Sequence, residues 1–135
     1  MENKKTILRT KPTIVKSDFD FFVQWLQIIR SFSPLTDKEL SFVACLLAKR
    51  FEVSKVILDE ELVARVLFSK ETKEEIVEFL KLKDLQEFEN KAHQLRKKEV
   101  IGENNMIDKR YIPNIPKDYK EFMLVFTIIK EEANE

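Results

Sequence analysis

The stretch that decides the fold is residues 72–112, TKEEIVEFLKLKDLQEFENKAHQLRKKEVIGENNMIDKRYI. Its pattern predicts a short helix, a tight turn, a longer helix and then the first strand of a β-hairpin. Thr72 with Glu75, and Asp84 with Glu87, have the spacing of capping boxes, in which a side chain at the helix start pairs with an acid three residues later. These two pairs therefore predict where the two helices begin.

Beyond the longer helix the pattern changes to that of a hairpin. Gly102 predicts the helix end, because glycine is common directly after a helix C-terminus. MIDKRYIPNI, residues 106–115, predicts one strand, and EFMLVFTIIK, residues 121–130, predicts a second. The second run is apolar on both faces, and such a strand would promote aggregation if it were exposed. We therefore expect the first helix or another chain to cover it.

Three further helices are predicted upstream. Ser17 opens the first, Thr36 with Glu39 forms a capping box for the second, and Asp59 begins the third. The first helix has apolar residues on two faces, and a helix of that kind has to be buried on both. We predict that its second face contacts a partner; this face consists of Phe21, Trp25 and Ile28.

The order of elements predicts a mainly α protein of about five helices with a small C-terminal β-hairpin. A chain of 135 residues is long enough to bury one core, and residues 17–130 are assigned to a single domain. Residues 1–16 form a basic arm that we expect to be extended. Residues 131–135 form an acidic tail.

The string LRKKEVIGENNMIDKRYIPN resembles the end of the recognition helix and the wing of the winged helix-turn-helix superfamily. Leu95, Lys98 and Ile101 match the superfamily pattern L-x-x-K-x-x-I, which runs into the hairpin. The residue pattern covers 84–112, and the order of elements extends the likeness over about 36–130. The resemblance implies a winged-helix-like scaffold, which holds nucleic acid in most members and protein in some.

The same resemblance implies where nucleic acid would bind. In DNA-binding members the N-terminal part of the second helix contacts base edges, and Gln and Asn suit adenine. Here that leading part also carries Glu87 and Glu89, which would repel phosphates. The wing would bring basic residues to the DNA backbone. The candidate nucleic-acid contacts are Gln86, Asn90, Gln94, Lys97, Lys98, Lys109 and Arg110.

The charge balance argues against a protein that depends on DNA phosphates. The chain has 24 basic and 24 acidic residues, whereas DNA-binding domains are usually basic. The arm is the exception, and we predict that Lys4, Lys5 and Arg9 contact a partner. Two alternatives remain for the arm: it follows nucleic-acid phosphates, or it is a solvated tail.

Catalytic and ligand-binding constellations are missing from the sequence. Cys45 and His93 are the only residues of their types, which is too few for a zinc site. One glycine excludes glycine-rich phosphate loops. We predict no enzyme activity, no metal or other cofactor and no small-molecule substrate. Because neither a signal peptide nor a membrane span is recognisable, we expect no membrane partner and a cytoplasmic protein, or one incorporated into a virion assembled there.

Two functions of different class follow from these patterns. We favour a non-catalytic adaptor or structural subunit of a larger, phage-virion-like assembly, which acts through contacts with other protein subunits in an oligomer. The composition, rich in Lys, Glu, Ile, Phe and Asn, is similar to that of proteins from AT-rich phages. The alternative is a DNA-binding winged-helix regulator or a phage or plasmid replication protein.

Overall fold

The computed structural model describes residues 13–123 and 129–131, and within them the fold is mainly α-helical. Two 3-10 turns follow the helices, at Glu103–Asn105 and Lys109–Tyr111. In this part of the chain no helix is long and apolar enough to cross a bilayer. The α-helices are α1, Asp18–Ile29; α2, Asp37–Ser54; α3, Glu60–Leu67; α4, Lys70–Leu80; and α5, Leu85–Lys97.

Four of the five predicted helix starts are confirmed by their caps. The Ser17 hydroxyl accepts a hydrogen bond from the Asp20 N–H at 3.1 Å. Thr36 and Glu39 form both bonds of the capping box that begins α2. The carboxylates of Asp59 and Asp84 likewise accept hydrogen bonds from backbone N–H groups at the starts of α3 and α5. These caps satisfy donors that have no partner inside the helix.

Helix α4 begins two residues before its predicted start. Its N-cap is Ser69, whose hydroxyl accepts a hydrogen bond from the Thr72 N–H at 3.4 Å. Thr72 is instead buried in the first helical turn. Ser69 has no acid three residues later, so it lacks the sequence signature of a capping box. The pair Thr72 and Glu75 has that signature and gave the wrong start.

Helix α2 lies at the centre of the core, with both of its neighbours in sequence packed against it. Its Phe51 contacts Phe22 of α1, with ring centroids 6.0 Å apart. Its Phe42 contacts Phe88 of α5 at 5.0 Å. Apolar residues at helical spacing in α5 predict one buried stripe, Leu85, Phe88, Ala92 and Leu95; the last three are fully buried, whereas Leu85 is only partly buried. The core therefore joins the N-terminal helices to the α4–α5 pair.

The predicted first strand of the C-terminal β-hairpin is wrong. Residues 106–115 form only one isolated bridge, Ile101 with Ile107, and then a 3-10 turn. The Asp108 carboxylate accepts hydrogen bonds from the Arg110 backbone N–H and Nε, both at 2.9 Å. Such local side-chain bonds compete with strand pairing and favour a turn. At the predicted second strand, 121–123 and 129–131 are not strand, and 124–128 lie outside the described residues.

The predicted stop at Gly102 is also wrong. Helix α5 ends at Lys97, and the left-handed residue after it is Glu99, with φ 61°. The Val100 N–H then donates to the Leu95 carbonyl at 2.9 Å, which closes the helix end. Gly102 has an ordinary φ of −89°. A non-glycine residue therefore occupies the position that favours glycine, at some cost in strain.

Candidate functional site

The C-terminal segment of the chain itself packs against the second face of α1. Phe21 is buried, with its ring 4.8 Å from that of Tyr119. Trp25 lies 6.0 Å from Phe122, and its indole N–H donates to the Tyr111 carbonyl at 2.9 Å. The covering that the two-sided pattern of α1 requires is thus present within one chain at these two positions.

The other predicted partner contacts are placed differently. Ile28, on the same face of α1, is 41% exposed. The predicted arm contacts Lys4, Lys5 and Arg9 lie outside the described residues. The involvement of all these residues with a partner remains a prediction.

Helix α5 carries an exposed stripe of amide and basic side chains. Gln86, Asn90, Gln94 and Lys97 are all exposed, and their spacing of four, four and three residues puts them on one side of the helix. His93 is exposed beside them. The Gln86 amide donates to the Asn90 side-chain oxygen at 3.0 Å. We call Gln86, Asn90, Gln94 and Lys97 the amide stripe.

The two acids of the leading turn both accept a hydrogen bond in the folded structure. The Glu87 carboxylate accepts a hydrogen bond from the Lys83 N–H at 2.6 Å. The Glu89 carboxylate pairs with the Lys73 ammonium of α4 at 2.5 Å. The Glu89 charge is therefore compensated by a lysine, and the Glu87 carboxylate is stabilised by a hydrogen bond. From the sequence alone, both acids are expected to repel phosphates.

The remaining predicted nucleic-acid contacts are basic residues, some of which are paired with acids. Lys98 pairs with the buried Glu39 at 2.7 Å. Arg110 bonds to Asp108, and these bonds from the Arg110 backbone and guanidinium lower the pKa of the Asp108 carboxyl. Lys109 is exposed and has no acid within 4 Å in the described part of the chain. Of the four predicted basic contacts, Lys97 and Lys109 are the two without an acid within 4 Å among the described residues.

A cleft that the sequence analysis missed lies between α3 and residues 105–117. Its volume is about 600 Å³, which is in the range of ligand and peptide pockets. Residues from α1, α2 and α3 form its apolar floor, together with Ile107. The floor residues are Phe22, Leu47, Phe51, Val63, Ala64, Leu67 and Ile107. The sequence gives no sign of the cleft, because its walls, α3 and residues 105–117, are far apart in the chain and no local pattern indicates that they lie side by side.

The cleft has charged residues around its apolar floor. Arg50 lies 3.9 Å from Glu60, so these two charges compensate each other. Lys109 and Lys117 also line the cleft, are exposed, and have no acid within 4 Å among residues 13–123 and 129–131. The uncompensated charge at the cleft is therefore positive.

Large apolar side chains are exposed where the chain connects α2 to α3. Val56 is 84% exposed, Leu58 83% and Leu62 44%. This connection begins and ends at two residues that line the cleft, Ser54 and Glu60. We call Val56, Leu58 and Leu62 the apolar patch.

Leu58 shows why the patch is not visible in the sequence. It directly precedes the N-cap Asp59, the position from which a hydrophobic staple would pack onto Val63 in the first turns of the helix. Val63 is buried, but Leu58 remains exposed, so the staple does not form. The sequence signature of a staple therefore predicts a buried Leu58, and no signal in the sequence indicates the exposed patch.

Reactive side chains are placed unfavourably for chemistry. Burial raises the pKa of the Cys45 thiol to about 11, despite the opposing charge of Lys49. His93, the only histidine, is exposed on α5. Within the described ranges, no three His, Cys, Asp or Glu side chains come together as metal ligands would.

Comparisons with protein-family models, with curated proteins and with solved structures find no match to this chain. Function has therefore to be inferred from the amide stripe, the cleft and the apolar patch.

Proposed function

We propose that this protein is a non-catalytic adaptor or structural subunit that acts through protein–protein contacts. The observation that carries the proposal is the apolar patch beside an open, apolar cleft. Isolated exposed apolar residues are common on proteins, but three within seven residues of sequence next to a cleft are typical of an interaction site.

The energetics of the patch support this role. Transfer of a leucine from water to a protein interior contributes about 1.5–3 kcal/mol. Leu58 is largely exposed and makes no staple contact, so its burial by a partner would contribute nearly all of this transfer free energy to binding. Burial of a few such side chains at the centre of an interface contributes much of its binding free energy.

The proposal includes a winged-helix-like scaffold and an assembly of the phage-virion type. Helices α4 and α5 are joined by four residues, 81–84, and Lys81 takes the left-handed conformation in this turn. Short connections of this kind are typical of helix-turn-helix units. Winged-helix proteins have a β-hairpin, the wing, after the second helix of this unit. In the proposed scaffold, residues 101–111 instead form an isolated bridge and a 3-10 turn.

The adaptor role is tested by the mass of the native complex. We expect the protein purified from its source to be part of an assembly heavier than one chain. The variant with Val56→Ser and Leu58→Ser should remain folded and lose these companions. Phe32→Ser is a matched control, because Phe32 is 78% exposed but lies in the α1–α2 connection. A monomer in the native source, or equal losses in both variants, would contradict the proposal.

A second candidate is nucleic-acid binding through the amide stripe, as in a DNA-binding regulator or a phage or plasmid replication protein. One observation favours it: Glu89 is paired with Lys73 and Glu87 accepts a hydrogen bond from the Lys83 N–H, which reduces the repulsion of phosphates by the acids beside the stripe. Gln and Asn can pair with adenine edges, and Lys97 can contact a phosphate.

Nucleic-acid binding is tested by a gel shift at low salt on random and AT-rich duplexes. We expect Lys97→Glu to weaken binding and Lys73→Met to weaken it as well, because the second change releases Glu89 from its pair. Lys117→Glu is the matched control, with the same charge change at the cleft. Micromolar binding with a steep salt dependence that is weakened by Lys97→Glu and by Lys73→Met, but not by Lys117→Glu, would make nucleic acid the main partner. No shift at low salt would exclude this candidate.

A further inference from the structure

We propose that the cleft between α3 and residues 105–117 binds an extended peptide segment of the partner protein, with an apolar anchor side chain flanked by carboxylates. This inference rests on the proposed adaptor function and specifies the chemistry of the partner. Three features of the cleft support it: its floor, the backbone of its wall and its uncompensated charge.

The floor is suited to an apolar anchor. It is built from side chains of three helices, among them Phe22, Leu47 and Val63, together with Ile107, and all of its members are buried. Close-packed apolar side chains of this kind give an apolar anchor a surface to pack against. A volume of about 600 Å³ is large enough for one or two large apolar side chains.

The wall offers unpaired backbone groups. Residues 112–115 have no helical or strand structure, and they line the cleft. Among the described residues, the N–H groups of Asn114 and Ile115 make no backbone hydrogen bond, and neither do the carbonyls of 112–115. Backbone groups of this kind need water or a partner. An extended peptide would satisfy them by pairing along the wall, as peptides do at open strand edges.

The positive charge at the cleft favours acidic peptides over basic ones. Lys109 and Lys117 line the cleft without an acid within 4 Å in the part of the chain that the structure describes. The other charges at the cleft are compensated: Arg50 faces Glu60, and Asp108 is bonded to Arg110. Flanking Asp or Glu residues on the peptide would therefore gain attraction from both lysines, while flanking basic residues would be repelled.

The test uses the full chain and a display library of random ten-residue peptides. We expect the selected peptides to share an apolar centre flanked by Asp or Glu. Synthetic, fluorescently labelled versions are then titrated by anisotropy. Combining Lys109→Glu and Lys117→Glu should weaken binding about tenfold, since each exposed charge contributes a few-fold. Peptides with Lys in place of Asp and Glu should recover affinity on this variant. Lys38→Glu with Lys83→Glu is the matched control: both lysines are exposed and neither lines the cleft, so this variant should bind like the wild type.

The outcomes separate this inference from the adaptor role. Selection of no peptide, selection of peptides without acids, or binding that ignores the reversal of Lys109 and Lys117 would overturn the cleft inference. The native complex gives a further outcome, in which it is lost on changing Val56 and Leu58 but is unaffected by the lysine reversal. That result would overturn the cleft inference and leave the adaptor role standing. Because the lysines are exposed, their reversal is expected to leave the fold intact, and circular dichroism verifies this.

Discussion

The Glu39 carboxylate accepts a hydrogen bond of 2.7 Å from the Lys98 ammonium, which joins the first turn of α2 to the C-terminal end of α5. Only 6% of the Glu39 side chain is exposed, compared with 44% of Lys98. The same carboxylate completes the Thr36 capping box. One buried acid therefore both starts the central helix and holds the last helix against it.

Removal of the Lys98 charge should destabilise the fold. Lys98→Met keeps the apolar stem but leaves the buried Glu39 carboxylate without its cation. We expect a loss of about 1–2 kcal/mol in the free energy of unfolding, at the lower end for buried pairs because the ammonium is partly solvated. Urea unfolding measures this loss. Lys97→Met is the control, since Lys97 is exposed and has no acid within 4 Å in the described ranges; equal losses in both variants would contradict the assigned role.

The same pair predicts a loss of stability in acid. Burial raises the pKa of Glu39, but hydrogen bonds from Lys98 and Thr36 outweigh it, so the net pKa is below the ordinary 4.5. Because the pKa of Glu39 is lower in the folded state, its pair with Lys98 stabilises the fold fully above about pH 4.5. This stabilisation is lost as the pH falls through the folded-state pKa. Urea midpoints measured between about pH 7 and pH 3 should fall more steeply in the wild type than in Glu39→Gln. Parallel curves would refute this assignment.

Trp25 reports on the contact between α1 and the C-terminal segment. It is the only tryptophan, and Phe122 packs edge-on against it. Phe122→Ala should admit water to the indole, shift its fluorescence maximum to longer wavelength and destabilise the fold by about 1–3 kcal/mol, less than for a fully buried phenylalanine. Met123→Ala is the control, because Met123 is 76% exposed. An unchanged emission maximum in Phe122→Ala would show that the segment does not cover α1.

The parts of the fold that were predictable from sequence are those decided by neighbours in the chain. The Thr36 and Glu39 box involves residues three apart, and the apolar stripe of α5 involves residues one turn apart, so both are visible as short patterns. Ser69 was missed because its bond to Thr72 lacks the reciprocal acid. The failure at 106–115 has a related cause: Asp108 forms a local turn that residue alternation does not register.

The site was less predictable because its features depend on contacts between distant residues. Glu89 is compensated by Lys73, sixteen residues earlier, and Lys98 is committed to Glu39, fifty-nine residues earlier. The cleft requires α3 and residues 105–117 to lie side by side, which no local pattern encodes. Sequence reasoning correctly indicated the polar side of α5, but it had no means to decide which of its charges are available.

Cys45 should behave as an inert thiol until the protein unfolds. Burial raises its pKa to about 11, so at neutral pH only about one molecule in 10⁴ carries the reactive thiolate. We expect the native protein to resist a thiol reagent such as dithionitrobenzoate at pH 7–8, and one thiol per chain to react promptly in concentrated urea. Because labelling should require unfolding, Lys98→Met should label faster than the wild type under native conditions, while Lys97→Met should match it. Rapid, stoichiometric labelling of the native wild type would show that the helix α2 core opens without global unfolding.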